Sequence, residues 1–98
     1  MGILLNYDLD DKHTTVKTAM YDKGYQNYFE YYKTVEGKRV KKTIYLPNTT
    51  LYHSSKSTVE GRDELRTVAK AKGAKVDHLL VTVFNPSSDW AALIGSAW

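Results

Sequence analysis

The sequence predicts an α+β domain with its elements in the order β-α-β-β-α-β. Three observations predict it. Short apolar runs at residues 2–8 and 76–84 frame the chain and read as buried strands. Two stretches between them carry apolar residues at helical spacing. The segment separating those stretches is dense in β-formers and is divided by a turn at Val35-Glu36-Gly37-Lys38.

In the first strand, Ile3, Leu5 and Tyr7 point one way, and Leu4, Asn6 and Asp8 the other. The strand ends at Asp8, so that carboxylate sits where the chain leaves the sheet. Asp10 or Asp11 is expected to cap the helix that follows. Val16, Ala19 and Met20 form its inward face, and Gly24 ends it. Residues 25–34 hold Tyr28, Phe29, Tyr31 and Tyr32 and form the second strand. Gly37 supplies the positive φ of the hairpin turn. Residues 39–53 read as one long return strand, broken near Pro47 because proline cannot donate a ladder hydrogen bond. Ser57 and Glu60 make a capping box for the second helix. Leu65, Val68, Ala69 and the stem of Lys72 mark its inward face, and Gly73 ends it. The last strand is apolar on both faces, with Leu79, Val81 and Val83 on one and Leu80 and Phe84 on the other.

That order is the ferredoxin-like split βαβ unit. Right-handed crossovers give an antiparallel four-stranded sheet in spatial order 4-1-3-2, with two helices on one face. One domain is expected over residues 1–98, with residues 85–98 an apolar C-terminal tail. The other sheet face is left open. Leu4 and the tail residues Trp90, Leu93, Ile94 and Trp98 are expected to bury themselves in a homodimer interface. The alternative is that the tail folds back over the sheet of its own chain.

Composition sets the bounds on function. The chain has 98 residues and no cysteine, which excludes a disulfide scaffold, a zinc-cysteine finger and a thiol nucleophile. No apolar run approaches the roughly 20 residues of a membrane helix. The N-terminus lacks the basic segment of a signal peptide, so a cytoplasmic address is expected. A net charge of +3 permits a nucleic-acid partner without demanding one. No P-loop, dinucleotide fingerprint or nucleophile elbow is present, and nothing forms a recognisable small-ligand signature.

Two constellations carry chemistry. The first is the acidic junction Asp8, Asp10 and Asp11, with His13 close by. Carboxylate oxygens suit Mg²⁺ or Mn²⁺, and two copies of Asp8 across a dimer axis would share a site for phosphodiester attack. Asp8 and Asp10 are the candidate metal ligands, and Asp8, Asp10 and His13 the candidate catalytic residues, His13 as proton shuttle. The plainer reading makes Asp10 or Asp11 a helix cap and His13 an exposed first-turn side chain. His53 and His78 read as strand surface.

The second constellation is the hairpin. Tyr28 and Tyr31 lie among Lys33, Lys38, Arg39, Lys41 and Lys42. Cations neutralise phosphates and aromatic faces stack bases, so these seven residues are the candidate RNA or DNA contacts. The plainer reading has the tyrosines packing across strands and the lysines protecting an edge.

A first strand ending Tyr7-Asp8-Leu9, a return strand carrying LPNTTLY (residues 46–52) and the Asp89-Trp90-Ala91 that follows the last strand resemble the SinR-like proteins. These are ferredoxin-like relatives of the CRISPR-associated Cas-two proteins and of the VapD ribonucleases. The resemblance covers residues 2–91. It implies a homodimer joined through the sheet, with RNA or DNA as ligand. It also implies metal-dependent endoribonuclease or nuclease chemistry at Asp8, with Mg²⁺ or Mn²⁺. Where the Cas-two pattern carries an arginine after the aspartate, this chain has Lys12 and His13. The alternative function is a non-catalytic dimer that grips nucleic acid or a partner protein in defence or on a mobile element.

Overall fold

A computed structural model describes residues 2–86. Seven elements follow in order: β1 (Gly2–Leu9), α1 (His13–Tyr21), β2 (Tyr28–Val35), β3 (Lys38–Tyr45), β4 (Thr50–His53), α2 (Thr58–Ala71) and β5 (Val76–Phe84). The fold is α+β with two helices and antiparallel sheets. Where one four-stranded sheet is expected, the described strands form a three-stranded sheet, β4-β1-β5, and a separate two-stranded hairpin, β2-β3.

The return strand explains the difference. Pro47 lies between β3 and β4, and Thr50 donates its backbone N–H to the Pro47 carbonyl at 3.0 Å. The turn re-aims the chain, so β3 pairs with β2 while β4 pairs with β1. One isolated bridge, Gln26 to Tyr52, ties the hairpin base to β4.

β1 is the axis of the molecule. Its odd residues Ile3, Leu5, Tyr7 and Leu9 are buried in one cluster with Val16 and Met20 of α1 and Leu65, Val68 and Ala69 of α2. Both helices therefore cover the same face. Leu79 and Val81 of β5 pack against this core from the edge, as their alternation requires. Leu4 on the opposite face joins Phe29, Ile44, Tyr52 and Phe84 in a second cluster. The hairpin base thus covers part of the face that the sequence leaves open.

The helix ends follow different rules. Ser57 caps α2 with a complete capping box, its Oγ accepting from the Glu60 N–H at 3.1 Å while Glu60 Oε1 accepts from the Ser57 N–H at 3.0 Å. At α1 the expected aspartate cap is absent. The N-cap is Lys12 in the left-handed region at φ 63°, with no side-chain cap bond. The Asp11 carboxylate accepts from the Lys12 N–H instead, at 2.7 Å. At the hairpin tip both Glu36 (φ 51°) and Gly37 (φ 77°) have positive φ, the pattern of a two-residue turn matched to strand twist.

Candidate functional site

Two of the three carboxylates of the acidic junction accept backbone hydrogen bonds, Asp10 from Lys75 and Asp11 from Lys12. Asp8 is exposed on the face away from the helices, and its cross-strand partner is His78, also exposed. The β1–β5 register then slips by one residue, because Leu9 pairs with Val76. Asn6 on the same face accepts a hydrogen bond from the Thr50 hydroxyl at 2.7 Å. Together with Thr49 and Leu80 these residues line a depression of about 330 Å³.

Asp10 has a different task. Its Oδ1 accepts from the Lys75 N–H at 2.8 Å, and its own N–H donates to the Lys75 carbonyl at 3.1 Å. The pair clamps the β1–α1 connection to the α2–β5 connection. His13 is exposed at the first position of α1. Among the described residues no group of three or more His, Asp or Glu side chains is placed to hold a metal ion. Asp10 spends Oδ1 on the Lys75 N–H, while Asp8 stands exposed on the open face.

The hairpin separates its candidate residues onto two faces. Tyr31 pairs with Lys42, Lys33 with Val40 and Val35 with Lys38. Lys33, Lys38 and Lys42 therefore share the Tyr31 face, which runs into the Phe29 and Ile44 contacts at the hairpin base. Tyr28, Tyr32, Arg39 and Lys41 lie on the other face. There the Arg39 guanidinium sits 4.2 Å from the Tyr32 ring centre, and Lys41 Nζ lies 2.6 Å from Glu30 Oε2. Tyr28 is half-buried against Tyr45, with ring centres 5.9 Å apart, and its hydroxyl accepts from Gln26 Nε2 at 3.1 Å. Every residue from position 32 to 39 is exposed. The outer hairpin is an arm with solvent on both faces.

Of the expected dimer residues, Leu4 is half-buried within its own chain's second cluster. Trp90, Leu93, Ile94 and Trp98 lie outside the described residues.

Sequence reasoning missed a polar network on the helix side. His53, expected at the surface, is 9% exposed. Its ring packs edge-on to Tyr25, with centres 4.9 Å apart, and Nδ1 accepts from the Ser55 N–H at 3.1 Å. This bond fixes the proton of the neutral ring on Nε2. The Tyr25 hydroxyl donates to Glu64, which Lys56 also reaches. Burial, and then the Glu64 carboxylate, push the Tyr25 phenol well above its ordinary range. No local motif announces this network, because its members are assembled from a loop, a strand and a helix.

Comparison of the chain with protein-family models, with curated proteins and with solved structures finds no match.

Proposed function

We propose that this chain is a ferredoxin-like nucleic-acid-binding protein that works as a homodimer and grips RNA or DNA through the β2–β3 arm. One observation carries the reading: Lys33, Lys38 and Lys42 are exposed on one face of the arm, the face that Tyr31 occupies nearer the hairpin base. Three cations on one strand surface attract a phosphate backbone. The ferredoxin-like part rests on the β4-β1-β5 order with both connections antiparallel, and on the Gln26–Tyr52 bridge, which extends that order toward β2. Dimerisation through the open face is what the resemblance implies, and it would bury Leu80, which is 61% exposed there.

A second reading makes the dimer a nuclease, of the kind the Cas-two resemblance implies. The position of Asp8 beside His78 on the open face favours it. Two chains would each have to contribute an Asp8 to hold Mg²⁺ or Mn²⁺.

One experiment separates the readings. Labelled single-stranded RNA and a DNA duplex are titrated with the protein at several salt concentrations, with Mg²⁺ and with EDTA. The same titrations use the variants Lys33→Glu/Lys42→Glu and Asp8→Ala, and sedimentation gives the oligomeric state. Binding that weakens with salt and with loss of the two lysines, without cleavage, supports the binding dimer. Metal-dependent cleavage lost with Asp8 supports the nuclease. Binding indifferent to salt and to the lysines overturns the nucleic-acid reading and favours a partner protein.

A further inference from the structure

A cleft of about 560 Å³ lies between α1 and the β3–β4 connection, sharing Tyr7 and Thr49 with the Asp8 depression. Small-molecule sites occupy roughly 300–1,000 Å³, so its size suits a ligand of mononucleotide scale. One face of α1 lines it with His13, Thr14, Lys17 and Tyr21, at the spacing that stacks side chains along a helix. Asn48 forms the facing wall, and among the described residues no acidic side chain lines the cleft.

Its polar groups point to an anion. Lys17 is half-buried, and its Nζ is held by the Asn48 carbonyl at 2.7 Å and by Asn48 Oδ1 at 3.3 Å. The first turn of α1 has neither a side-chain cap nor an acidic residue within it, and the Asp11 carboxylate is engaged with the Lys12 N–H just before it.

Tyr7 supplies an independent observation. It is 5% exposed, and no hydrogen bond reaches its hydroxyl among the described residues. Every fully enclosed side-chain oxygen among the described residues has a partner. The Tyr7 oxygen is therefore not enclosed and opens at the surface of its cavity. Tyr7 lines this cleft together with Tyr21 of α1. A nearly buried phenol whose hydroxyl bonds no described group can donate to a ligand in the cleft it lines.

We propose that this cleft binds a nucleoside monophosphate. Lys17 and the Thr14 hydroxyl, both lining the cleft, take the phosphate. The Tyr7 hydroxyl donates to the sugar or base, and the Tyr21 ring, 39% exposed, lies beside the base. The site goes beyond the arm reading and needs none of the arm lysines.

The test is an amide-shift titration of the full ¹⁵N-labelled chain with uridine and adenosine 5′-monophosphates. Uridine, adenosine and inorganic phosphate alone are the control ligands, and Lys17→Met and Tyr7→Phe the variants. Saturable shifts at Tyr7, Thr14, Lys17 and Thr49 are expected. Affinity should fall about tenfold in each variant, the scale of one hydrogen bond to a charged group. A similar loss is expected for the nucleosides. Lys33→Glu/Lys42→Glu should leave the shifts unchanged. Shifts that do not saturate, that persist in both variants or that centre on the arm would overturn the proposal. Inorganic phosphate binding as tightly as the nucleotides would overturn it too. Because Lys17 is on the surface of α1, its variant keeps the test valid if Tyr7→Phe repacks the core.

Discussion

The Tyr25 hydroxyl donates a 2.8 Å hydrogen bond to Glu64 Oε1 across 39 residues of sequence. Lys56 completes the arrangement, its Nζ lying 2.9 Å from Oε1 and 3.0 Å from Oε2 of the same carboxylate. This contact joins the loop after α1, the loop before α2 and the body of α2.

It also makes stability depend on pH. Burial pushes the Glu64 carboxyl up, but the hydrogen bonds from Lys56 and Tyr25 outweigh it and leave the pKa below its ordinary 4.5. A carboxylate with a depressed folded pKa stabilises the fold above the unfolded value and loses that contribution as pH falls through the folded one. Urea unfolding from pH 7 to pH 3 should therefore show stability falling below pH 4.5. Glu64→Gln should lower stability at pH 7 and flatten that acid limb. An unchanged acid limb in the variant would assign the loss to other groups.

The alkaline side rests on Tyr7, whose phenol is raised from 10.0 to about 12, chiefly by burial. A raised folded pKa gives stability that is complete below pH 10 and is lost as pH rises toward 12. Tyr7→Phe removes that loss and breaks no hydrogen bond among the described residues. Its midpoint of alkaline unfolding should move up, with little change at pH 7. A midpoint that stays in place would mean that Tyr25, raised by burial and by Glu64, controls the transition.

How far the sequence carried depends on the range of the forces involved. β1, α2 and β5 are legible because alternation, the Ser57–Glu60 box and helical spacing are local signals. The two faces of β1 are legible for the same reason. The burial of His53 is not, because it follows from Tyr25 and Gly24 arriving from the loop after α1. The cap of α1 is not, because the Asp10 carboxylate goes to Lys75, which lies 65 residues away. At the arm, composition located the cations, but only the register shows that Lys41 faces Glu30 while Lys33 and Lys42 do not.

Gly61 offers a test of packing against propensity. Alanine in a helix interior is favoured over glycine by about 1 kcal/mol. A Cβ at position 61 would meet Ile3 Cδ1 at 2.5 Å and Leu5 Cδ1 at 3.3 Å. Ile3 is 1% exposed, so its terminal methyl has little room to yield. Overpacking of this kind costs about 1–3 kcal/mol, so Gly61→Ala should be net destabilising. Ile3→Val removes the clashing methyl and alone should cost about 0.5–1.5 kcal/mol. The double variant should be more stable than the sum of the single changes predicts, by about 1 kcal/mol in chemical denaturation. Strict additivity would show that the contact is relieved elsewhere.

The arm lysines differ in how much charge they can offer a phosphate. Lys41 lies 2.6 Å from Glu30, so part of its field is already neutralised. Lys42 and Lys33 stand on the other face, where their register neighbours are Tyr31 and Val40. Each cation that contacts a phosphate steepens the salt dependence of binding by about 0.7–0.9 in log–log slope. Lys42→Gln and Lys33→Gln should each flatten the slope by about that amount, and Lys41→Gln by less. Glu30→Gln frees Lys41 and removes a repelling carboxylate, so it should tighten binding to RNA or DNA and steepen the slope. The Glu30–Lys41 pair is exposed and adds little to folding, so this variant should unfold close to the parent. If Glu30→Gln weakens binding, the pair holds the arm in its binding shape, and the Lys41 side is then the gripping face.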